Sequence, residues 1–259
     1  MHSDNAKFAS CGGDRSVFLW DVTTAKTIRR YGGQHGHTVR INTVAFAGVD
    51  DSVLVSGSFD ASVRLWDTKQ ASMKPLMVLT EAKDSVQAVV VKGETIMAGS
   101  VDGRVRCYDI RMGRCATDVL GSPVTSLCMT MDGEGYLAGT LDGKVRLMDR
   151  SSGGCLKTYL GALGGEYRIK STFGGKERWV ISGSEADGEV VAWDMMTGKE
   201  VRRVKVPSAE GAERKKVDAF GRVKDRKNVI SCVAWKNSGR GSQWCCAGTD
   251  GQVTVYGDG

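Results

Sequence analysis

The chain has 259 residues, of which 41% are hydrophobic and 25% are charged, and its formal net charge is +6 at pH 7. This is the composition of an ordinary globular protein that is long enough to bury a large core. No apolar run approaches the roughly 18 residues of a membrane-spanning helix, and the opening MHSDNAKF lacks the pattern of a signal peptide. We therefore expect a protein of the cytosol or the nucleus.

The eight cysteines are scattered through apolar segments, with no Cys-x-x-Cys pair. We expect them to be reduced and mostly buried, because a free cysteine packs as a small hydrophobic residue. His35 and His37 form a close pair of candidate metal ligands, but two ligands without a third nearby make a poor site. The sequence therefore predicts no metal and no cofactor.

Six related segments recur along the chain, and each places an aspartate between a run of small residues and an alternating apolar strand. In chain order they are SCGGDRSVFLWD (10–21), SGSFDASVRLWD (56–67), AGSVDGRVRCYD (98–109), AGTLDGKVRLMD (138–149), SGSEADGEVVAWD (182–194) and AGTDGQVTVYG (247–257). Their aspartates, Asp14, Asp60, Asp102, Asp142, Asp187 and Asp250, lie 46, 42, 40, 45 and 63 residues apart. A period of this size indicates a repeat architecture.

Each segment predicts a β-hairpin, and in four of them the turn is Asp-Gly, which is typical of a tight type I′ turn. An apolar strand precedes the full hairpins (INTVAF, VQAVVV, VTSLCM, YRIKSTF and VISCVAW), and another follows most of them (TIRRY, PLMVL, CLKTY and EVRRVKV). Four strands per repeat predict an all-β propeller in which each repeat forms one blade.

The pair Gly36-His37, followed by Trp66-Asp67, resembles the Gly-His to Trp-Asp frame of the WD40 family. The resemblance implies that His37, Ser56, Asp60 and Trp66 form a structural tetrad of hydrogen-bonded side chains. The later repeats keep the aspartate and lack the histidine, so we expect the tetrad in this repeat alone.

The same resemblance implies a natural form with seven blades. Residues 7–13 are predicted to be the second strand of a blade, and the chain stops at Gly259, just after the third strand of the last one. We therefore expect a single domain over residues 1–259 that covers about six blades of a WD40 β-propeller, with the N-terminal part missing.

Three segments resemble a narrower group, the mitogen-activated protein kinase organiser family, a WD-repeat scaffold also found in spliceosomes. They are AGSVDGRVRCYDIRMG (98–113), GSPVTSLC (121–128) and TEAKDSVQAV (80–89). The resemblance implies a protein-binding scaffold, and we favour a spliceosomal component that acts in pre-mRNA splicing, with spliceosomal proteins as partners, in the nucleus and also in the cytoplasm. One alternative is a scaffold that organises a MAP kinase cascade. Another is a substrate receptor of a ubiquitin ligase, because Tyr108-Asp109-Ile110-Arg111 resembles the Trp-Asp-x-Arg box of such receptors.

The usual WD40 geometry places residues next to the turn aspartates and around the innermost strands on one face, where partners bind. In this sequence they are Arg40, Asn42, Phe59, Val101, Leu141, Tyr167 and Arg168. Phe59, Tyr167 and the arginines are of the types enriched in interface hot spots.

A basic insertion, PSAEGAERKKVDAFGRVKDRKN (207–228), interrupts the last repeat. Its cations are Arg214, Lys215, Lys216, Arg222, Lys224, Arg226 and Lys227, against four acidic residues. Loops of this length are mostly functional or disordered, so a partner contact and a spacer both stay open. Nucleic-acid contact has less support, because Arg64, Arg106 and Arg146 are expected to pack beside the aromatic or methionine side chain of their own strand.

An enzymatic function is not predicted. No phosphate loop, dinucleotide fingerprint or nucleophile elbow is present, and the histidines, His2, His35 and His37, all lie near the start. The many aspartates recur with the repeat and so have a structural explanation.

Overall fold

The computed structural model describes residues 5–70, 72–162, 164–186, 188–207, 215–217, 223–225, 228–237 and 242–257. The described residues are all-β apart from two short 3₁₀ turns, Gly33–His35 and Val49–Asp51, and the chain forms two compact units, residues 1–127 and 128–259. In the described part, no helix has the length and apolar character needed to cross a membrane.

Unit 1 holds three antiparallel sheets in which each strand pairs with its neighbours in sequence. Sheet 1 contains β1 (Lys7–Cys11), β2 (Val17–Asp21) and β3 (Thr27–Tyr31). Sheet 2 contains β4 (Ile41–Ala47), β5 (Val53–Ser58), β6 (Val63–Asp67) and β7 (Met77–Leu79). Sheet 3 contains β8 (Val86–Lys92), β9 (Thr95–Ser100), β10 (Arg104–Asp109) and β11 (Arg114–Val119).

Unit 2 holds three further sheets and a small hairpin. Sheet 4 contains β12 (Val124–Met129), which begins in the last residues of unit 1, β13 (Gly135–Thr140), β14 (Val145–Asp149) and β15 (Cys155–Tyr159). Sheet 5 contains β16 (Ser171–Gly174), β17 (Trp179–Gly183), β18 (Glu189–Asp194) and β19 (Glu200–Lys205). The hairpin contains β20 (Lys215–Val217) and β21 (Val223–Asp225), and sheet 6 contains β22 (Ile230–Asn237), β23 (Ser242–Gly248) and β24 (Val253–Gly257).

The predicted all-β class is confirmed, because six successive sheets have the strand order of propeller blades. Two elements were not predicted. The strand β11 has a weakly apolar, exposed sequence, and its six-residue pairing with β10 supplies the interaction that its side chains lack. The hairpin β20–β21 lies inside the basic insertion.

Sheets pack face to face through the apolar residues that alternate along the third strand. In unit 1, Val63 and Leu65 of sheet 2 pack against Val89, Ile96 and Tyr108 of sheet 3. In unit 2, the equivalent pair, Val145 and Leu147, belongs to a cluster with Val180 and Trp193 of sheet 5. Each fully buried valine or leucine side chain contributes about 1.5–3 kcal/mol to stability. Both faces of an inner sheet are therefore buried, as the apolar residues on both faces of its strands predict.

The predicted type I′ turn is wrong. That turn needs positive φ at both central residues, but in the described Asp-Gly turns the positive φ belongs to the glycine, with values of 76° at Gly143 and 75° at Gly103. The amide of Gly103 also donates to the carbonyl of Ser100 at 3.2 Å. This is a type I turn closed by a left-handed residue, which leaves the aspartate in an ordinary conformation and free to accept hydrogen bonds.

The cysteine prediction is wrong in part. All eight are free, but only Cys246 is buried, whereas Cys115 and Cys155 are exposed. These two lie on outer strands, β11 and β15, which have one wet edge. The sequence pattern located β15 but missed β11, and it did not distinguish an inner strand from an outer one.

We predict that Gly183→Ala destabilises the fold by about 1–3 kcal/mol, the usual cost of overpacking. A methyl group there would overlap the backbone carbonyl of Ile230, which cannot rotate away. Gly165→Ala in the same unit is the control, since nothing lies within 4 Å of its added methyl. Urea unfolding of the two variants measures the difference, and equal midpoints would contradict this packing.

Candidate functional site

The first network joins four side chains from four segments of unit 1. The indole Nε1 of Trp66 donates to the Oγ of Ser56 at 2.8 Å, and that Oγ lies 2.8 Å from the Nε2 of His37. The Nδ1 of His37 lies 2.9 Å from a carboxylate oxygen of Asp60. Because a carboxylate only accepts, Nδ1 carries the hydrogen, and the relay runs from tryptophan through serine and histidine to aspartate. The structure thus brings together all four predicted tetrad residues.

Asp60 also accepts hydrogen bonds that the sequence analysis missed. The hydroxyl and the amide of Ser62 donate to it at 2.6 and 3.0 Å, and the amide of Thr38 donates at 3.0 Å. Burial opposes its ionisation, but the hydrogen bonds from His37, Ser62 and Thr38 outweigh burial and hold the pKa of Asp60 well below its ordinary value. The carboxylate ties the turn to the loop before β4, and this fixes the residue next to it, Phe59.

Turn aspartates in repeats that lack the histidine also have strong partners. In sheet 3, the guanidinium of Arg106, which is 3% exposed, donates to Ser100 at 2.9 Å and to Asp102 at 2.7 Å. Burial again opposes ionisation, yet the hydrogen bonds from Arg106 and Ser100 lower the pKa of Asp102 to about 2. Arg106 therefore does more than pack beside an aromatic ring, because it takes the place that histidine has in sheet 2.

Sheet 4 repeats this arrangement. Arg146 donates to the hydroxyl of Thr140 at 2.6 Å and to Asp142 at 3.1 Å. Burial opposes ionisation of Asp142, but hydrogen bonds from Thr140 and Arg146 lower its pKa overall. The sequence signal was an aspartate four residues before an arginine across a hairpin turn. Sheet 2 has the same spacing, but there Arg64 donates to the backbone carbonyl of His35 instead.

The predicted partner residues of unit 1 differ in how accessible they are. Phe59 is 47% exposed, and the guanidinium carbon of Arg40 lies 4.8 Å from its ring centroid, a cation–π contact. Asn42 is engaged in packing, since its amide donates to the Oγ of Ser85 and the carbonyl of Val86 at 3.0 and 2.9 Å. Val101 is half-buried. Arg40 and Phe59 therefore form the accessible part of this set.

In unit 2, Leu141 is half-buried, whereas Tyr167 is 44% exposed and Arg168 is exposed. A carboxylate oxygen of Glu185 accepts hydrogen bonds from three successive amides, those of Gly165, Glu166 and Tyr167, at 2.9, 2.8 and 2.7 Å. One acidic side chain thus fixes the loop that presents Tyr167. No sequence pattern signals this role, because the glutamate lies some 20 residues downstream.

The insertion is described only in part. Lys215, Lys216 and Lys224 lie on the hairpin β20–β21, whereas Arg214, Arg222, Arg226 and Lys227 lie outside the described residues. The structure places Asn228, the last residue of the predicted insertion, against sheets 5 and 6. Asn228 is buried, its amide donates to Asp250 at 2.9 Å, and its carbonyl accepts from Gly188 at 2.7 Å. It precedes β22 and contacts the turn before β24 and the turn before β18.

A cavity of about 460 Å³ lies between sheets 5 and 6 of unit 2. Its aromatic lining comes from Trp179, Trp235, Trp244 and Tyr256, and the charged residue in the lining is Arg202. Aromatic rings beside one cation suit an apolar ligand or a packed side chain, and the lining supplies no paired acid and base for catalysis.

The family description "WD domain, G-beta repeat" matches residues 1–21 and 27–67. The WD repeat domain-containing protein 83 homolog of Dictyostelium discoideum is 30% identical over 225 residues, which cover 76% of this chain and 68% of that protein. WD repeat domain-containing protein 83 of Xenopus tropicalis is 46% identical over 52% of this chain, and that of Rattus norvegicus is 41% identical over 48%. These two alignments span 42% and 39% of the relatives' own lengths.

We predict a graded loss of stability when the turn aspartates are replaced by alanine. Asp102→Ala should cost about 3–5 kcal/mol, because it leaves the buried guanidinium of Arg106 without its carboxylate. Asp60→Ala should cost about 1.5–3 kcal/mol, as a charge-assisted hydrogen bond is lost. Asp14→Ala should cost least, since its described contact is with Ser16 at 3.3 Å. Equal midpoints in urea for the three variants would contradict these networks.

We also predict that stability falls in acid. The pKa of Asp102 is depressed to about 2 in the folded chain, so its contribution is fully present above the unfolded pKa of about 4 and is lost as pH falls toward 2. The unfolding free energy of the wild type should therefore decline over this window. Asp102→Asn should flatten the decline relative to Asp14→Asn, and parallel curves for the two variants would show that Asp102 does not drive it.

Proposed function

Because the chain belongs to the WD-repeat family that includes WD repeat domain-containing protein 83, we propose that it is a non-catalytic scaffold for the protein kinases of a MAP kinase cascade. Residues 80–89, 98–113 and 121–128 resemble the mitogen-activated protein kinase organiser family. Together with the similarity to WD repeat domain-containing protein 83, this resemblance favours kinase organisation over the splicing role that we favoured from the sequence. We place the protein in the cytoplasm and the nucleus.

The observation that carries the proposal is the exposed pair Arg40 and Phe59. The aromatic ring sits on a turn that Asp60 fixes through His37, Ser62 and Thr38, so little conformational entropy is lost when a partner binds it. An aromatic side chain beside an arginine is the composition of an interface hot spot. The guanidinium adds a preference for a partner with an acidic group nearby.

Unit 2 offers a second anchor of the same kind. Tyr167 is exposed on a loop that the carboxylate of Glu185 holds through three amides. Tyrosine supplies a large contact area at low entropy cost, and Arg168 follows it. Anchors in both units would let one chain hold two partners, which is the task of a scaffold.

Membership of a spliceosome is the second candidate. The hairpin β20–β21 carries Lys215, Lys216 and Lys224 on paired strands, and this ordered element favours an attachment role for the basic insertion over a spacer. Such a surface would suit an acidic or RNA-containing assembly, and its binding would weaken as salt screens the charges.

We predict that Phe59→Ala removes captured kinases, whereas Val22→Ala does not. Val22 is the matched control, since it is 43% exposed in the same unit and directly follows β2 of sheet 1, at the end of that strand away from the Asp14 turn. Loss of a hot spot should reduce recovery by roughly 30-fold, the equivalent of about 2 kcal/mol. The measurement is mass spectrometry of proteins that co-purify with the tagged full chain, alongside its melting temperature.

Equal recovery with the two variants would show that this turn is not the binding surface. Splicing helicases and small nuclear RNAs in place of kinases would transfer the proposal to the spliceosome.

A further inference from the structure

Each outer strand has two edge positions that lie opposite equivalent residues of the strand it pairs with. These outer strands are β3, β7, β11, β15 and β19. The pairs are Arg29 and Arg30 in β3, Met77 and Val78 in β7, Ala116 and Thr117 in β11, Lys157 and Thr158 in β15, and Arg202 and Arg203 in β19. Three of the five strands carry a cation there, and β11 carries small residues. Only β7 carries two large apolar side chains.

This difference matters because the edge of a sheet presents unpaired backbone groups to other chains. Proteins usually protect such edges with charged side chains, short strands or covering loops. The strand β7 has three residues, so its backbone ladder is short, but its side chains give no charge protection. An edge without that protection is suited to bind another strand.

The apolar surface extends upstream of β7. Val78 and Met77 are 42% and 39% exposed, and Leu76 and Met73 are 53% and 60% exposed. We call these four residues the β7 edge. Met77 lies opposite Leu65 and Val78 lies opposite Arg64, so apolar groups occur on both faces of the sheet at this edge. A strand placed beside β7 would therefore meet apolar neighbours on each face.

The charges around the β7 edge indicate which charges a bound segment should carry. Lys69 and Lys74 are exposed upstream of β7, with no acidic residue between Thr68 and Thr80, and the exposed Glu81 follows downstream. Acidic residues at the end of a docked strand that lies beside Lys74 would be attracted to these lysines.

We propose that the β7 edge binds an extended apolar segment of a partner protein, which pairs with β7 as an added strand and carries acidic residues at the end beside Lys74. The site lies on an outer strand and does not depend on the turn surface of the proposed scaffold function.

The test uses the full chain and a fluorescein-labelled peptide of alternating valine and threonine with two glutamates at one end. The double variant Met77→Lys, Val78→Thr gives β7 the edge residues of β15, where Lys157 and Thr158 lie opposite Leu147 and Arg146. The fold already accepts that pair, so melting should be unchanged while peptide affinity falls roughly tenfold or more. A proline at the centre of the peptide should abolish binding, because it blocks strand pairing.

The reverse variant is the matched control. Lys157→Met with Thr158→Val should create peptide binding at β15 without changing the β7 edge. A peptide with lysines in place of the glutamates should bind more weakly than the acidic peptide, and high salt should remove that difference. Unchanged affinity in the double variant at β7, or equal binding of the proline peptide, would overturn the proposal. A wild-type dimer that the double variant converts to a monomer would instead assign the edge to a second copy.

Discussion

A carboxylate placed in the turn between the second and third strands of a blade must keep its hydrogen bonds, because a buried charge without partners costs several kcal/mol. Sheet 2 meets this requirement with the relay from Trp66 through Ser56 and His37 to Asp60. Sheet 3 meets it with the arginine Arg106, and sheet 6 uses the asparagine Asn228. The residue types differ, but each solution supplies a donor to the same acceptor and fixes the same turn.

The recurring aspartate is the reason that the sequence revealed so much of the fold. Its spacing located the turns, and the period-two pattern on each side located the second and third strands. Outer strands were harder to predict because their side chains are mostly exposed, as in β11, where backbone pairing outweighs side-chain burial.

The candidate site was predictable only where its residues follow the family pattern. The His37 network could be inferred, whereas the arginine networks were missed because an arginine four residues after an aspartate is also an ordinary strand residue. Glu185 could not be inferred, since its role depends on three backbone amides rather than on side chains. Exposure of Phe59 beside Arg40 likewise depends on packing that a pattern of residue types does not specify.

The histidine network of sheet 2 and the arginine network of sheet 3 differ in how far the sequence of the preceding loop can change. In sheet 2, the histidine comes from the preceding loop, so a change in that loop endangers the blade. In sheet 3, Arg106 lies in the same hairpin as Asp102 and holds its carboxylate. The preceding loop contributes only the backbone amide of Lys83 to this network, 3.1 Å from Asp102. Any residue except proline supplies that donor. The side chain at position 83 is therefore free to change, and with it the recognition properties of the loop, without loss of the turn that Asp102 holds.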